Sequence, residues 1–332
     1  AENGKATEVS LKIGSQEIPI TVTSTNGAVE TTTLHVLRNV DGSAYTVPTR
    51  PQYHFSQAMG WSNDPNGMLY YKGEWHLFFQ YNQARTTWGE LEWGHAVSKD
   101  LIHWEELPRP LNYQEDNGAM FSGCGVVDDE NTSGLFGDEK GPGKGGLIAL
   151  YTQNNELNGH RGQDQCIAYS KDNGRTWTKY KGNPILKWDE DHLKDTAFRD
   201  PKVFRHDGKW FMVLAGGILR IYSSDDLIHW NIESTYKGSD DIGNPAGLRV
   251  ETECPDMYPL TADDGTTKWV ISEGGRYYRI GDLKKIDGHW TFVQDKDSDR
   301  YVMNFGPHSY AAMTYYIGNG ETTNGKPENR RI

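Results

Sequence analysis

At 332 residues the chain can form one large domain or two smaller ones, each with a sizeable core. Acidic residues outnumber basic ones, 46 to 34, and there is no run of lysine or arginine to track a phosphate backbone, which argues against a nucleic-acid partner. The longest apolar runs, 146–151 and 211–215, fall far short of the roughly 20 residues of a spanning helix, so no membrane anchor is expected. Three cysteines, Cys124, Cys166 and Cys254, make neither an even disulfide framework nor a CxxC metal spacing and read as buried thiols; no metal or cofactor is expected. Neither an initiator Met nor a signal-peptide pattern stands at Ala1, as expected of a processed or excised piece of something longer.

Residues 1–48 differ in pattern from the rest of the chain. Alternation in Glu17–Thr23, a break at Ser24–Gly27 and a second alternating run at Thr31–Leu37 predict a Thr- and Val-rich β-hairpin. It resembles the last strands of an immunoglobulin-like module, and one hairpin cannot bury a core by itself. The reading is a C-terminal remnant of such a β-sandwich over 1–48, a linker at 49–52 and a second domain over 53–332. An edge hairpin of the main domain is the alternative.

From Tyr53 onward the pattern is short strands with turn punctuation and almost no helical periodicity. Ser98-Lys-Asp-Leu-Ile-His-Trp104 returns as Ser224-Asp-Asp-Leu-Ile-His-Trp230, more weakly as Ser170–Trp177, and a fourth copy is read at Gly281–Trp290. Each closes a unit of four short antiparallel strands. Such units at steps of about 50 to 70 residues predict an all-β, five-bladed β-propeller. Four blades are expected near 66–110, 122–185, 200–237 and 254–296, with a fifth opening at Ser309–Tyr316 and incomplete at Ile332. The recurring Trp104, Trp177, Trp230 and Trp290 read as inter-blade packing, and Asp100, Asp172 and Asp226 as turn formers. His95 reads as a core histidine.

Three acids precede the first strands of three of these units. Asp64 lies in Trp61-Ser62-Asn63-Asp64-Pro65-Asn66-Gly67, Asp200 in Phe198–Pro201 and Glu253 in Glu251–Asp256. The Asp64 heptad alone also reads as an ordinary tight turn. In a propeller, however, equivalent ends of the innermost strands meet at the axis, so the three acids would share one funnel. Clustering like charges is costly unless something uses them, and cleavage of a glycosidic bond by a carboxylate pair is chemistry that does. A calcium cage would need about six to eight oxygens, more than three acids offer.

Taken together, WSNDPNG (61–67), FFQYN (78–82), WGH (93–95), FSG (121–123), FRDP (198–201) and ECPD (253–256) resemble, in order, the family 32 glycoside hydrolases, the β-fructosidases. That resemblance runs from Tyr53 to the end. It implies a propeller normally followed by a C-terminal β-sandwich, and a retaining double displacement on fructosides. Asp64 would be the nucleophile, Glu253 the general acid and base, and Asp200, with Arg199 beside it, the stabiliser of the transition state. Trp61, Asn63, Gln80, Trp88, Phe121 and Ser122 would line the fructose pocket. The implied substrate is a carbohydrate, levan, inulin or sucrose, and the implied setting extracellular. A fructosyltransferase using the same intermediate and a non-catalytic fructan-binding propeller are the rival readings. The sequence departs from the family pattern at Gln83, Cys124 and His308.

Overall fold

The computed structural model describes residues 9–10, 12, 14–38, 48, 50–51, 53–113, 118–155, 162–188, 197–236, 253–303, 306 and 309–317. The departure at His308 lies outside them. The chain divides into two compact units, Ala1–Trp61 with Asn82–Trp88, and Ser62–Tyr81 with Gly89–Ile332.

The first unit contains the expected hairpin. Strands β1 (Gly14–Thr23) and β2 (Val29–Arg38) pair antiparallel, with Ile18 opposite Leu34 and Val22 opposite Glu30. The turn is fixed by Gly27, whose φ of 86° favours glycine, and by hydrogen bonds of 2.9 Å from Ser24 N to Ala28 O and from Gly27 N to Ser24 O. Ile20, Val22, Val29 and Leu34 remain exposed. Farther along, Arg50 donates to Ser56 and Gln57, and the Asn82 side chain accepts from the amides of Ala84 and Arg85.

The second unit is an all-β propeller. Its first blade is formed by β3 (Trp61–Tyr71), β4 (Glu74–Asn82), β5 (Glu92–Ser98) and β6 (Trp104–Leu111). The second comprises β7 (Ala119–Asp128), β8 (Gly146–Asn154), β9 (Gln163–Ser170) and β10 (Thr178–Lys179). The third runs β11 (Arg199–His206), β12 (Lys209–Ala215), β13 (Leu219–Ser224) and β14 (Asn231–Tyr236). The fourth runs β15 (Asp256–Thr261), β16 (Thr267–Glu273), β17 (Tyr277–Ile286) and β18 (His289–Gln294), with β19 (Tyr301–Val302) added against β17.

The expectation of five blades is corrected to four among the described residues. The segment expected to open a fifth contributes only β20 (Tyr316–Ile317). That strand pairs parallel with Leu69 and Tyr70 of β3, so it extends the first blade's sheet. The reason is local: residues 309–315 carry no ladder of their own, and the inner edge of β3 pairs with the two residues that follow.

The blades bury their faces only against one another. Phe78, Trp93 and Leu111 of blade one pack with Met120, Ala149 and Tyr151 of blade two. Ile148, Leu150 and Ile167 of blade two pack with Val203, Trp210 and Met212 of blade three, and Phe211, Val213 and Ile221 of blade three pack with Met257, Trp269 and Leu283 of blade four. Three of the four repeated tryptophans join these layers: Trp177 meets Phe78 edge-on at 5.4 Å, Trp230 packs on the cluster shared by blades two and three, and Trp290 meets Phe211 at 5.5 Å.

The turn aspartates act as their sequence suggests. Asp100 Oδ1 accepts from the amides of Ile102 and His103 at 2.9 and 2.7 Å, Asp226 Oδ1 from those of Ile228 and His229 at 2.9 and 2.8 Å, and Asp172 Oδ1 from Thr176 N at 2.8 Å. The fourth copy does not hold. Asp282 lies within β17 beside Lys268, and the chain reverses at Asp287-Gly288 instead. His95 is a core histidine: it stacks on Phe78 at 4.0 Å and shares a 3.0 Å hydrogen bond with His76, and burial lowers the pKa of both rings, that of His76 to about 4.

Candidate active site

The Asp64 heptad is not a turn. It forms the first part of the inner strand β3, and its one left-handed residue, Gly67 (φ 53°), is required because a Cβ there would lie 2.4 Å from the Phe78 ring. Prolines come directly after Asp64, Asp200 and Cys254. Pro65 and Pro201 lie within the innermost strands β3 and β11 and Pro255 just before β15; β11 and β15 are edge strands, and Pro201 falls in the register shift between Arg199 and Lys202. Two bulges aim side chains at the same end of the unit: β7 slips register against β8 between Phe121 and Gly123, and β11 against β12 between Arg199 and Lys202.

The result is a cluster drawn from all four blades. Ser122 Oγ donates to Asp64 Oδ2 at 2.7 Å. The Cys254 thiol lies 3.4 Å from that same oxygen and 3.6 Å from Asp200 Oδ2, and the Cys254 amide donates to Asp200 Oδ2 at 2.9 Å. Arg199 binds Glu253 Oε1 through Nη2, while its Nε lies 3.8 Å from Asp200. The Tyr310 hydroxyl donates to the other oxygen of Glu253. Asp64 and Asp200 thus meet directly at Cys254, and Glu253 joins them through Arg199 and through the backbone it shares with Cys254.

Each group carries a charge state set by this crowding. Burial pushes the Asp64 carboxyl above its ordinary value, against the pull of the bonds from Ser122 and Cys254, and Glu253 adds to the rise. Burial raises Asp200 to about 6 despite Arg199 and the Cys254 amide. Burial, then the neighbouring Asp200 and Asp64, push the Cys254 thiol well above its usual range, so it stays a neutral donor. Burial and the bond to Glu253 likewise keep the Tyr310 hydroxyl protonated.

Asp64 Oδ1 is buried and has no hydrogen-bond partner within the protein. A carboxylate with one oxygen held and the other bare is arranged to react. Asp200 (φ 62°) and Cys254 (φ 41°) both hold left-handed backbone conformations, a strain that persists where the surroundings fix it. Asp200 N is tied to Thr152 Oγ1 at 3.0 Å, and Phe198 N to Gln163 Oε1 at 2.8 Å.

The other expected pocket residues divide. Ser122 and Arg199 are in the cluster, though the Ser122 hydroxyl is engaged on Asp64. Gln80 is buried behind it: its Nε2 donates to Met120 O at 2.9 Å, and the buried Asn66 amide lies between Gln80 and Ser122. Phe121 is half-buried and Asn63 exposed. Trp61 and Trp88 fall in the first compact unit, where Trp88 is 64% exposed. In that unit Gln83 is buried, with neither amide atom bonded.

Sequence reasoning passed over Cys254, Tyr310 and Asn66. Cys254 and Asn66 stood inside motifs already singled out for their acids. Tyr310 carried no local signal, since its partner is remote in the chain.

Fold and site together define a β-propeller with a carboxylate cluster at one end of its inner strands. The glycosyl hydrolases family 32 N-terminal domain matches residues 54–324, and the chain belongs to that family. It is 51% identical over 283 residues to a fructan beta-fructosidase of Streptococcus mutans serotype c, covering 84% of this chain and 18% of that protein. It is 44% identical over 292 residues to a levanase of Bacillus subtilis, covering 83% and 40%. The crystal structure of an exo-inulinase from Aspergillus awamori superposes with a TM-score of 0.70 at 36% identity, over 83% of this chain and 58% of that one. The chain therefore spans less than two thirds of the length of these relatives.

Proposed function

We propose that the protein is a retaining β-fructofuranosidase acting on fructans. The observation that carries this reading is the bare Oδ1 of Asp64 beside two further acids, with the other Asp64 oxygen held by Ser122 and Cys254. Asp64 Oδ1 bonds to C2 of the fructosyl unit as the C2–O bond to the leaving group breaks. The departing oxygen keeps that electron pair and takes the proton of Glu253. Water then gives a proton to Glu253 while its oxygen bonds to C2, and Asp64 leaves as a carboxylate. Asp200 and Arg199 hold the fructosyl hydroxyls and offset the positive charge that develops on the ring. The names of the relatives support a fructan as substrate, and a polymer of that kind cannot cross a membrane, so the reaction belongs outside the cell.

The same reading takes the hairpin Gly14–Arg38 as the closing pair of an immunoglobulin-like module.

Incubation with levan, inulin and sucrose separately, with chromatography of the first products, tests the assignment. Asp64→Ala and Glu253→Ala should each lower turnover at least about 100-fold. Unchanged turnover in either variant would sink it, and longer fructosyl chains as first products would indicate transfer in place of hydrolysis.

A further inference from the structure

One residue of the singled-out motifs and one beside them have no part in the chemistry above: Asp256, the last residue of ECPD, and Lys202, the residue just after FRDP. They form a buried ion pair at 3.3 Å, with side chains only 6% and 2% exposed for Lys202 and Asp256. Both also hold Thr314. Asp256 Oδ2 accepts from Thr314 N at 2.6 Å, and Lys202 Nζ donates to Thr314 Oγ1 at 3.3 Å and to its carbonyl. Asp256 Oδ1 is anchored by Met257 N at 2.7 Å.

A buried ion pair is weak evidence for stability, because apolar replacements of similar volume are often as stable. What this pair fixes is the segment around Thr314. Residues 309–315 have no ladder: Ala311 N donates to Gly274 O at 2.6 Å, the backbone lies so close to Gly275 that a Cβ there would sit 1.8 Å from Ala312 N, Met313 packs on the core shared by blades two and three, and Tyr315 meets Trp75 edge-on at 5.1 Å. Tyr310, four residues before Thr314, reaches Glu253 Oε2 from this segment.

We propose that Lys202 and Asp256 are positioning residues, a latch that seats residues 309–315 across blades three and four and thereby holds the Tyr310 hydroxyl on Glu253. This rests on Glu253 being the acid and base of the reaction. With Arg199 on one oxygen and Tyr310 on the other, Glu253 has one available orientation, and loss of the latch frees it to rotate. Loosening the geometry of a reacting group by about 1 Å costs on the order of 100-fold in rate.

The test is a double-mutant cycle read by kinetics and by hydrogen exchange. Lys202→Met should lower kcat on levan about tenfold or more with KM within about twofold. Tyr310→Phe should do the same, and adding Lys202→Met to Tyr310→Phe should cost less than about another twofold. Amide exchange over 309–317 should quicken in Lys202→Met, with 209–215 unchanged. Asp256→Asn, which preserves volume, covers the case in which the apolar replacement does not fold.

Unchanged exchange over 309–317 overturns the latch, and it does so whether or not the protein is active. Faster exchange with fully additive kinetic losses overturns its action through Tyr310. A wild-type protein with no turnover on any fructan overturns the functional reading instead, and with it the claim on Glu253.

Discussion

Asp200 carries its charge against its surroundings. Burial raises its pKa to about 6, offset only in part by Arg199, and Asp64 and Glu253 add to the rise. A carboxyl whose folded pKa exceeds its unfolded value favours the fold most when protonated, below the unfolded pKa near 4, and that contribution is lost as pH climbs through about 6. A shift of this size amounts to about 3 kcal/mol. Asp200→Asn should therefore melt higher than wild type at pH 7, with the difference shrinking below pH 4 and activity lost, as differential scanning calorimetry across pH would show. That three acids come together was legible in the sequence because each stands in a short motif that contains a proline. Cys254 and Tyr310 were not, because what matters about them is contact with Asp64, Asp200 and Glu253, and only the assembled blades supply those contacts.

Blades are held by what lies between them. Leu150 is fully buried where blade two meets blade three, whereas Ile232 on β14 is 51% exposed. Leu150→Ala should cost about 2–5 kcal/mol and Ile232→Ala within about 0.5 kcal/mol, measured by urea denaturation. The repeat was legible at this scale because one turn recurs: an aspartate accepts two backbone amides and the tryptophan four residues on donates Nε1 to the residue just after the aspartate, as Trp104 does to Leu101 and Trp230 to Leu227. The fourth copy misled because Asp282 and Trp290 are too far apart for that turn. The intervening residues extend β17 and reverse at Asp287-Gly288, and Trp290 reaches blade three from β18. Taken alone, the Asp64 heptad reads as a turn for the opposite reason. Asn, Pro and Gly are turn residues in isolation, yet the first part of the inner strand β3 accepts all of them.

For the molecule as a whole, the three thiols report on the integrity of the fold. All are free and buried, Cys124 is pushed up to about 12 chiefly by burial, and Cys254 is held well above its ordinary range. None should react with a thiol reagent at pH 8 while the chain is folded, and all three should react after denaturation; a thiol titrating rapidly in the native protein would contradict the packing. The all-β class and the stacking of blades were legible from strand length and repeat. The number of blades was not, because a strand assigned to a new blade from its sequence can instead extend the sheet of an existing one.

That strand has a consequence for how the protein reaches its native state. Tyr316 and Ile317 dock on Leu69 and Tyr70, partners separated by about 250 positions along the polypeptide. Contacts of such separation are slow to form. Blade one, the first to leave the ribosome, must wait for the last described residues before its inner edge is covered, and in that interval it offers bare backbone donors and acceptors to any other extended chain nearby.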